Sequence, residues 1–133
     1  MENATTPPVF TGNSIERVQA YRLGIELISL ARADIAELPQ TPGSREVQAQ
    51  LVRAVGSIAA NIAEGYSRNG SADRRKFYEY ALGSAREAEV WYTSAFPHQE
   101  RYARSQAILT SIRRLLVKMI ENAREDATRD RNR

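Results

Sequence analysis

The sequence predicts an all-α chain folded as an antiparallel, up-down-up-down four-helix bundle. Two observations carry this expectation. Three short breaks, "LPQTPGS" (38–44), "GYSRNGS" (65–71) and "FPHQE" (96–100), separate four long segments that, from residue 9 on, have no internal proline. Within those segments apolar residues recur at spacings of three and four, the pattern of a helix with a buried face. Connections this short favour antiparallel neighbours. At 133 residues the chain suits one domain with a core of its own.

The organisation expected is a flexible arm over 1–12, a bundle over 13–127 and a disordered basic tail over 128–133. The first helix is expected to start near Asn13, with Glu16 three residues on completing a capping box, and to end before Pro39. It carries two stripes: Val18, Tyr21, Ile25 and Ile28, and then Leu23, Leu27, Leu30 and Leu38. A second stripe fits either a helix with two neighbours in its own bundle or a contact between subunits. Leu23, Leu27 and Leu30 are the candidates for such an oligomer seam.

The second helix takes Ser44 as its N-cap and Gly65 as a left-handed C-cap, with Val47, Leu51, Ala54, Ile58 and Ile62 facing inward. The third takes Ser71 as N-cap, carries Asp73 in its first turn and stops before Pro97. Its stripe reads Phe77, Ala81, Ser84, Ala88, Trp91 and Ala95, leaving Leu82 and Val90 outside, while Gly83 admits a close neighbour. The fourth runs from about Gln99 to Ala127 on Ile108, Leu109, Ile112, Leu115, Leu116, Met119 and Ile120. The tail "TRDRNR" has no apolar anchor and is expected to fray.

Composition narrows the chemistry. With 42% hydrophobic and 26% charged residues the chain reads as an ordinary globular protein. It has no cysteine, so disulfides and thiolate metal sites are out, and a reducing compartment suits it. The opening "MENATTPPVFTGN" lacks a signal-peptide pattern, and no apolar run nears the roughly 18 residues of a membrane span. A soluble, cytoplasmic protein with no membrane partner is expected.

No catalytic constellation emerges. His98 is the single histidine and sits in a proline break, and no metal-ligand spacing or phosphate-cradling glycine motif is present. Glu87 and Glu89, two apart on a helix, do not share a face and read as surface ion-pair partners. No enzymatic activity, metal or cofactor is expected.

The charge points elsewhere, if weakly. The formal net charge is +3 and the sequence pI about 9.5. Arg113, Arg114, Lys118 and Arg124 alternate with Glu121 and Glu125, a self-neutralising solvated face. Arg68, Arg74, Arg75 and Lys76 instead crowd one turn, with Asp73 as the nearby acid and Tyr66 and Asn69 beside them. Two readings fit: a phosphate-binding turn that adds the amides of a helix N-terminus, or a solubilising helix start in which Arg75 pairs with Glu79.

Arg53, Ser57 and Glu64 lie along one line of the second helix, with Asn61 at its edge, opposite the Leu51–Ile58–Ile62 stripe. Asn61 and Glu64 fit either local bonding at a helix crossing or a subunit seam. The run "LVRAVGSIAANIAEGYSR" followed by "FYEYALGSAREAE" resembles the four-helix bundle proteins of the 23S rRNA intervening-sequence family. Their hallmark reads approximately R-A-x-x-S-I-x-x-N-I-A-E-G, then F-x-x-x-A-x-G-S-x-x-E-x-E. Arg53, Ala54, Ser57, Ile58, Asn61, Ile62, Ala63, Glu64 and Gly65 match the first part. Phe77, Ala81, Gly83, Ser84, Glu87 and Glu89 match the second.

The resemblance implies a bundle that assembles as a homopentamer, with Ser57, Asn61, Glu64, Gly65 and Glu87 as structural or interface positions. A related branch, the accessory variability proteins of diversity-generating retroelements, engages a reverse transcriptase and its template RNA. The function expected is therefore a non-catalytic oligomer that binds RNA or a ribonucleoprotein, with Arg53, Arg68, Arg74, Arg75 and Lys76 as the contacting cations. The alternative is a protein–protein accessory module, such as a partner of a reverse transcriptase, using exposed Leu82 and Val90.

Overall fold

The computed structural model describes residues 15, 18–97 and 99–133. Asn13, Glu16, His98 and the arm 1–12 lie outside the described residues. The elements are α1 (Gln19–Ala36), α2 (Pro42–Tyr66), α3 (Ser71–Ala95), a 3₁₀ turn (Gln99–Tyr102) and α4 (Ala103–Arg131). Among the described residues there is no strand.

α1 begins at Gln19, later than expected, because Val18 is extended (φ −78°, ψ 109°). Its buried line is Ala20, Gly24, Leu27 and Ala31, which runs between the two predicted stripes. A Cβ on Gly24 would stand 3.3 Å from Ala59 Cβ, so small residues let α1 settle close to α2. That orientation sends Leu27 into the core, where it is 0% exposed. Leu27 therefore has no surface to give an oligomer seam. Leu23 and Leu30 are half-buried against the same core.

At the start of α2, Thr41 is the cap in place of Ser44: its Oγ1 accepts from the Ser44 amide at 3.3 Å, and Pro42 fills the first helical position. Leu51, Ala54, Ile58 and Ile62 are buried as expected, joined by Val55 and Ala59. Gly65 is not a left-handed cap. It lies inside the helix, which ends at Tyr66, and no described glycine has a positive φ. What Gly65 provides is room, since a Cβ there would sit 2.8 Å from Tyr78 Cε1 and 3.1 Å from Phe77 Cβ.

α3 is capped by Gly70, so Ser71 is its first residue and not its cap. Its buried line is Tyr78, Ala81, Leu82, Ala85, Ala88 and Tyr92. This is the expected stripe turned by one position: Ala81 and Ala88 stay, while Phe77, Ser84 and Trp91 move to the margin. Leu82 consequently faces the core, contrary to expectation, and Gly83 meets no neighbour within 4 Å. Across the seam, Ser57 meets Ser84 and Gly65, eight residues later, meets Tyr78 six residues earlier, so the two helices are read in opposite order. α3 and α4 do likewise, through Glu89 with Arg113 and Ser71 with Asp130.

Pro97 ends α3, and the chain reverses on a stack in which the Phe96 and Tyr102 ring centroids lie 3.8 Å apart. α4 buries Ser105, Ile108, Leu109, Ile112, Leu116, Ile120 and Ala123. Helix continues beyond Ala127 to Arg131, where fraying was expected, because Arg129 pairs with Asp126 and Asp130 accepts from Ser71. At the opposite end, Asp34 Oδ2 accepts from Tyr92 Oη and Ser105 Oγ, both at 2.8 Å, tying α1, α3 and α4 together. Burial holds the Tyr92 phenol well above its ordinary pKa, opposed by the hydrogen bond with Ser105 and reinforced by Asp34, so Tyr92 is the donor.

Two outcomes follow from this packing. Gly65→Ala forces the buried Tyr78 ring aside and lowers stability by about 1–3 kcal/mol, read by denaturant unfolding. Leu27→Glu buries an unpartnered carboxylate, costs about 4 kcal/mol or more and abolishes the helical circular dichroism signal. A Leu27→Glu protein that stayed helical but fell to a lower mass in light scattering would instead place Leu27 at a seam.

Candidate nucleic-acid interface

Only residues 67–70 join α2 to α3, and the carbonyls of so short a link have no helix to supply their donors. Arg74 answers this need. Its Nη1 donates to the Arg68 carbonyl at 3.3 Å and the Asn69 carbonyl at 3.1 Å, and its Nη2 donates to Ser71 Oγ at 2.9 Å. Arg74 is thus the clamp that closes the turn, and much of its donor capacity is already used.

The other three cations of the cluster differ in how far they are engaged. Arg68 pairs with Glu64 one turn back, and its Cζ sits 4.8 Å from the Phe77 ring centroid. Arg75 Nε lies 3.7 Å from Glu79, which also stands 3.9 Å from Arg124. Lys76 Nζ lies 5.8 Å from the Phe77 centroid and 5.9 Å from that of Tyr80. Among the described residues no carboxylate forms an ion pair with Lys76. Arg53 does not join them: it is exposed on α2, about 20 Å of helix from the turn.

The fold adds residues that the sequence did not flag. Ser71 Oγ donates to Asp130 Oδ2 at 3.1 Å, which pins the end of α4 beside the α2–α3 turn. Arg129 and Arg133 then line a shallow cleft with Asn69, Arg74, Asp126 and Asp130. Arg131 lines an adjoining cleft with Gly70 and Arg75. Lying some sixty positions from the turn, these arginines carry no local signal of the partnership; only the basic composition of the tail hinted at it.

The motif residues Ser57, Asn61 and Ser84 bond to one another at the α2–α3 seam. Ser57 Oγ and Ser84 Oγ lie 2.9 Å apart, and Asn61 Nδ2 donates to both the carbonyl and Oγ of Ser57 at 2.9 Å. Asn61 therefore bonds within its own helix at a helix crossing, and Glu64 pairs along its own chain rather than with a neighbouring helix. Glu87 accepts from the Trp91 indole at 3.3 Å, and Glu89 pairs with Arg113 at 3.0 Å. The cations of α4 also look outward from their own helix: Arg113 and Arg124 reach α3 carboxylates, not Glu121 or Glu125.

Burial raises the Tyr78 phenol above its ordinary value, against the opposing charge of nearby Arg74. Among the described residues no group of three or more His, Asp or Glu side chains is placed to hold a metal ion. No described helix is long and apolar enough to cross a membrane.

Four long helices packed through small residues, with a polar seam between α2 and α3 and cations gathered at one end, define an all-α bundle. Comparison with known protein families matches residues 16–122 to the family described as 23S rRNA-intervening sequence protein. The chain belongs to that family. Comparison with curated proteins returns no match.

Proposed function

We propose that this chain is a non-catalytic, homo-oligomeric bundle that binds RNA or a ribonucleoprotein through the basic end formed by the α2–α3 turn and the end of α4. The observation that carries the reading is the Ser71–Asp130 contact, which brings Arg129, Arg131 and Arg133 beside Arg74 and Arg75 of the turn cluster. Cations there outnumber carboxylates, and membership of a family named for an rRNA element supports a nucleic-acid setting. In this reading the helices alternate in direction, up-down-up-down, which the opposed registers of α2 with α3 and α3 with α4 support. The protein is soluble and cytoplasmic.

Oligomerisation, as a pentamer on the family resemblance, completes the physical account. A net +3 per chain is too little to hold a polyanion firmly, but repeating one basic end around a ring makes the binding multivalent. With Leu27 in the core, the apolar side chains left for a seam on α1 include half-buried Leu23 and Leu30 and exposed Ile25. Arg53 stands apart from the basic end and is assigned a separate, secondary contact.

A salt titration of RNA affinity tests the reading. With about two to four phosphate contacts per subunit, log K falls against log salt with a slope of about −1.4 to −2.8 per subunit engaged on single strands. No binding at low salt removes the proposal. A partner protein retained at high salt after nuclease treatment would favour the accessory-module alternative, for which Val90, 61% exposed, remains available and buried Leu82 does not.

A further inference from the structure

Beside the basic turn, α3 carries two neighbouring aromatic rings, one at the edge of the α2–α3 seam and one open to solvent. Phe77 and Tyr80 are three residues apart and share a face, with ring centroids 5.7 Å apart and planes at 84°. Phe77 is half-buried at the edge of the α2–α3 seam, and Arg68 lies over it. Tyr80 is 51% exposed, one of few large hydrophobic side chains left so open. Lys76 Nζ stands at nearly the same distance from both rings and has no carboxylate paired with it among the described residues.

We propose that Tyr80 and Phe77, flanked by Lys76 and Arg68, form a stacking platform for the unpaired bases of single-stranded RNA. This deepens the RNA-binding function above and rests on it. An exposed ring with a cation beside it matches both halves of a nucleotide: the base lies on the ring, and its phosphate meets the ammonium about one helical turn away. Stacking of this kind tolerates any base, because every base has a π-face.

The chemistry favours RNA over a protein seam at this spot. The cores of protein interfaces are depleted in lysine, since an apolar partner strips water from the ammonium and returns no charge. Lys76 sits directly over the rings that such a partner would have to cover. A phosphate chain replaces that water with opposite charge. The same geometry selects against duplex RNA, whose base faces are hidden in the helix.

Fluorescence anisotropy with a short labelled oligouridylate and a fully paired RNA duplex, using the full-length protein, tests the platform. Oligouridylate is expected to bind more tightly than the duplex. Tyr80→Ala is expected to weaken oligouridylate binding roughly 5- to 150-fold with an unchanged salt slope, whereas Tyr80→Phe stays within about 2-fold of the parent. Lys76→Ala is expected to reduce the salt slope by about 0.7. Because Tyr80 lies outside the core, its variants should keep the parent's circular dichroism. If Tyr80→Ala binds oligouridylate as the parent does, with salt dependence intact, the platform is overturned and the RNA-binding function survives. If neither RNA binds at low salt, the function falls and the platform with it.

Discussion

The close approach of α2 to α3 is the constraint on which the rest of this molecule depends. Alanines 81, 85 and 88 on α3 are fully buried, and Gly65 on α2 leaves no room for a methyl group beside Tyr78. Side chains this small let two 25-residue helices pack closely against each other. The polar groups that such proximity would strand are paired across the seam or within it, by Ser57 with Ser84 and Asn61 with Ser57. Apolar attraction and polar satisfaction thus fix the same register, which is why a conspicuously polar motif runs along the α2–α3 contact.

From that register the basic end follows. The short link between α2 and α3 is held by Arg74 on the turn carbonyls, which leaves Arg68 and Lys76 to lean over Phe77. The first residue of α3 then reaches the far end of α4 through Asp130. A turn that looked like four loose cations is in fact graded. Arg74 is structural, Arg68 and Arg75 are partly neutralised by glutamates, and Lys76 pairs with no carboxylate among the described residues.

Helix number and breaks were legible in the sequence because proline and glycine act locally: Pro39, Pro42 and Pro97 limit helices whatever the tertiary contacts are. Rotation of each helix was less legible. In α3, Phe77/Trp91 and Tyr78/Tyr92 lie on adjacent lines of an alanine-rich helix, so periodicity fits both and packing chose the second. Leu27 was drawn to the core for a similar reason, since Gly24 and Ala20 turn the small side of α1 toward α2. The cap at Thr41 was missed because Ser44 is an equally good cap by type, and only the placement of Pro42 at the first helical position separates them. Of the candidate interface, the contiguous cations were visible, whereas the share contributed by Arg129, Arg131 and Arg133 arises from a contact between Ser71 and a residue fifty-nine positions away.

The central claim is that RNA meets this protein at the end where the α2–α3 turn and the end of α4 converge. Ultraviolet cross-linking of bound RNA followed by mass spectrometry of the peptides addresses it without altering a residue. The account predicts cross-links on Phe77, Tyr80 and their basic neighbours over 68–76, together with peptides from the 129–133 end of α4. Cross-links confined to α1, or to the opposite end of the bundle around Asp34 and Tyr92, would contradict it.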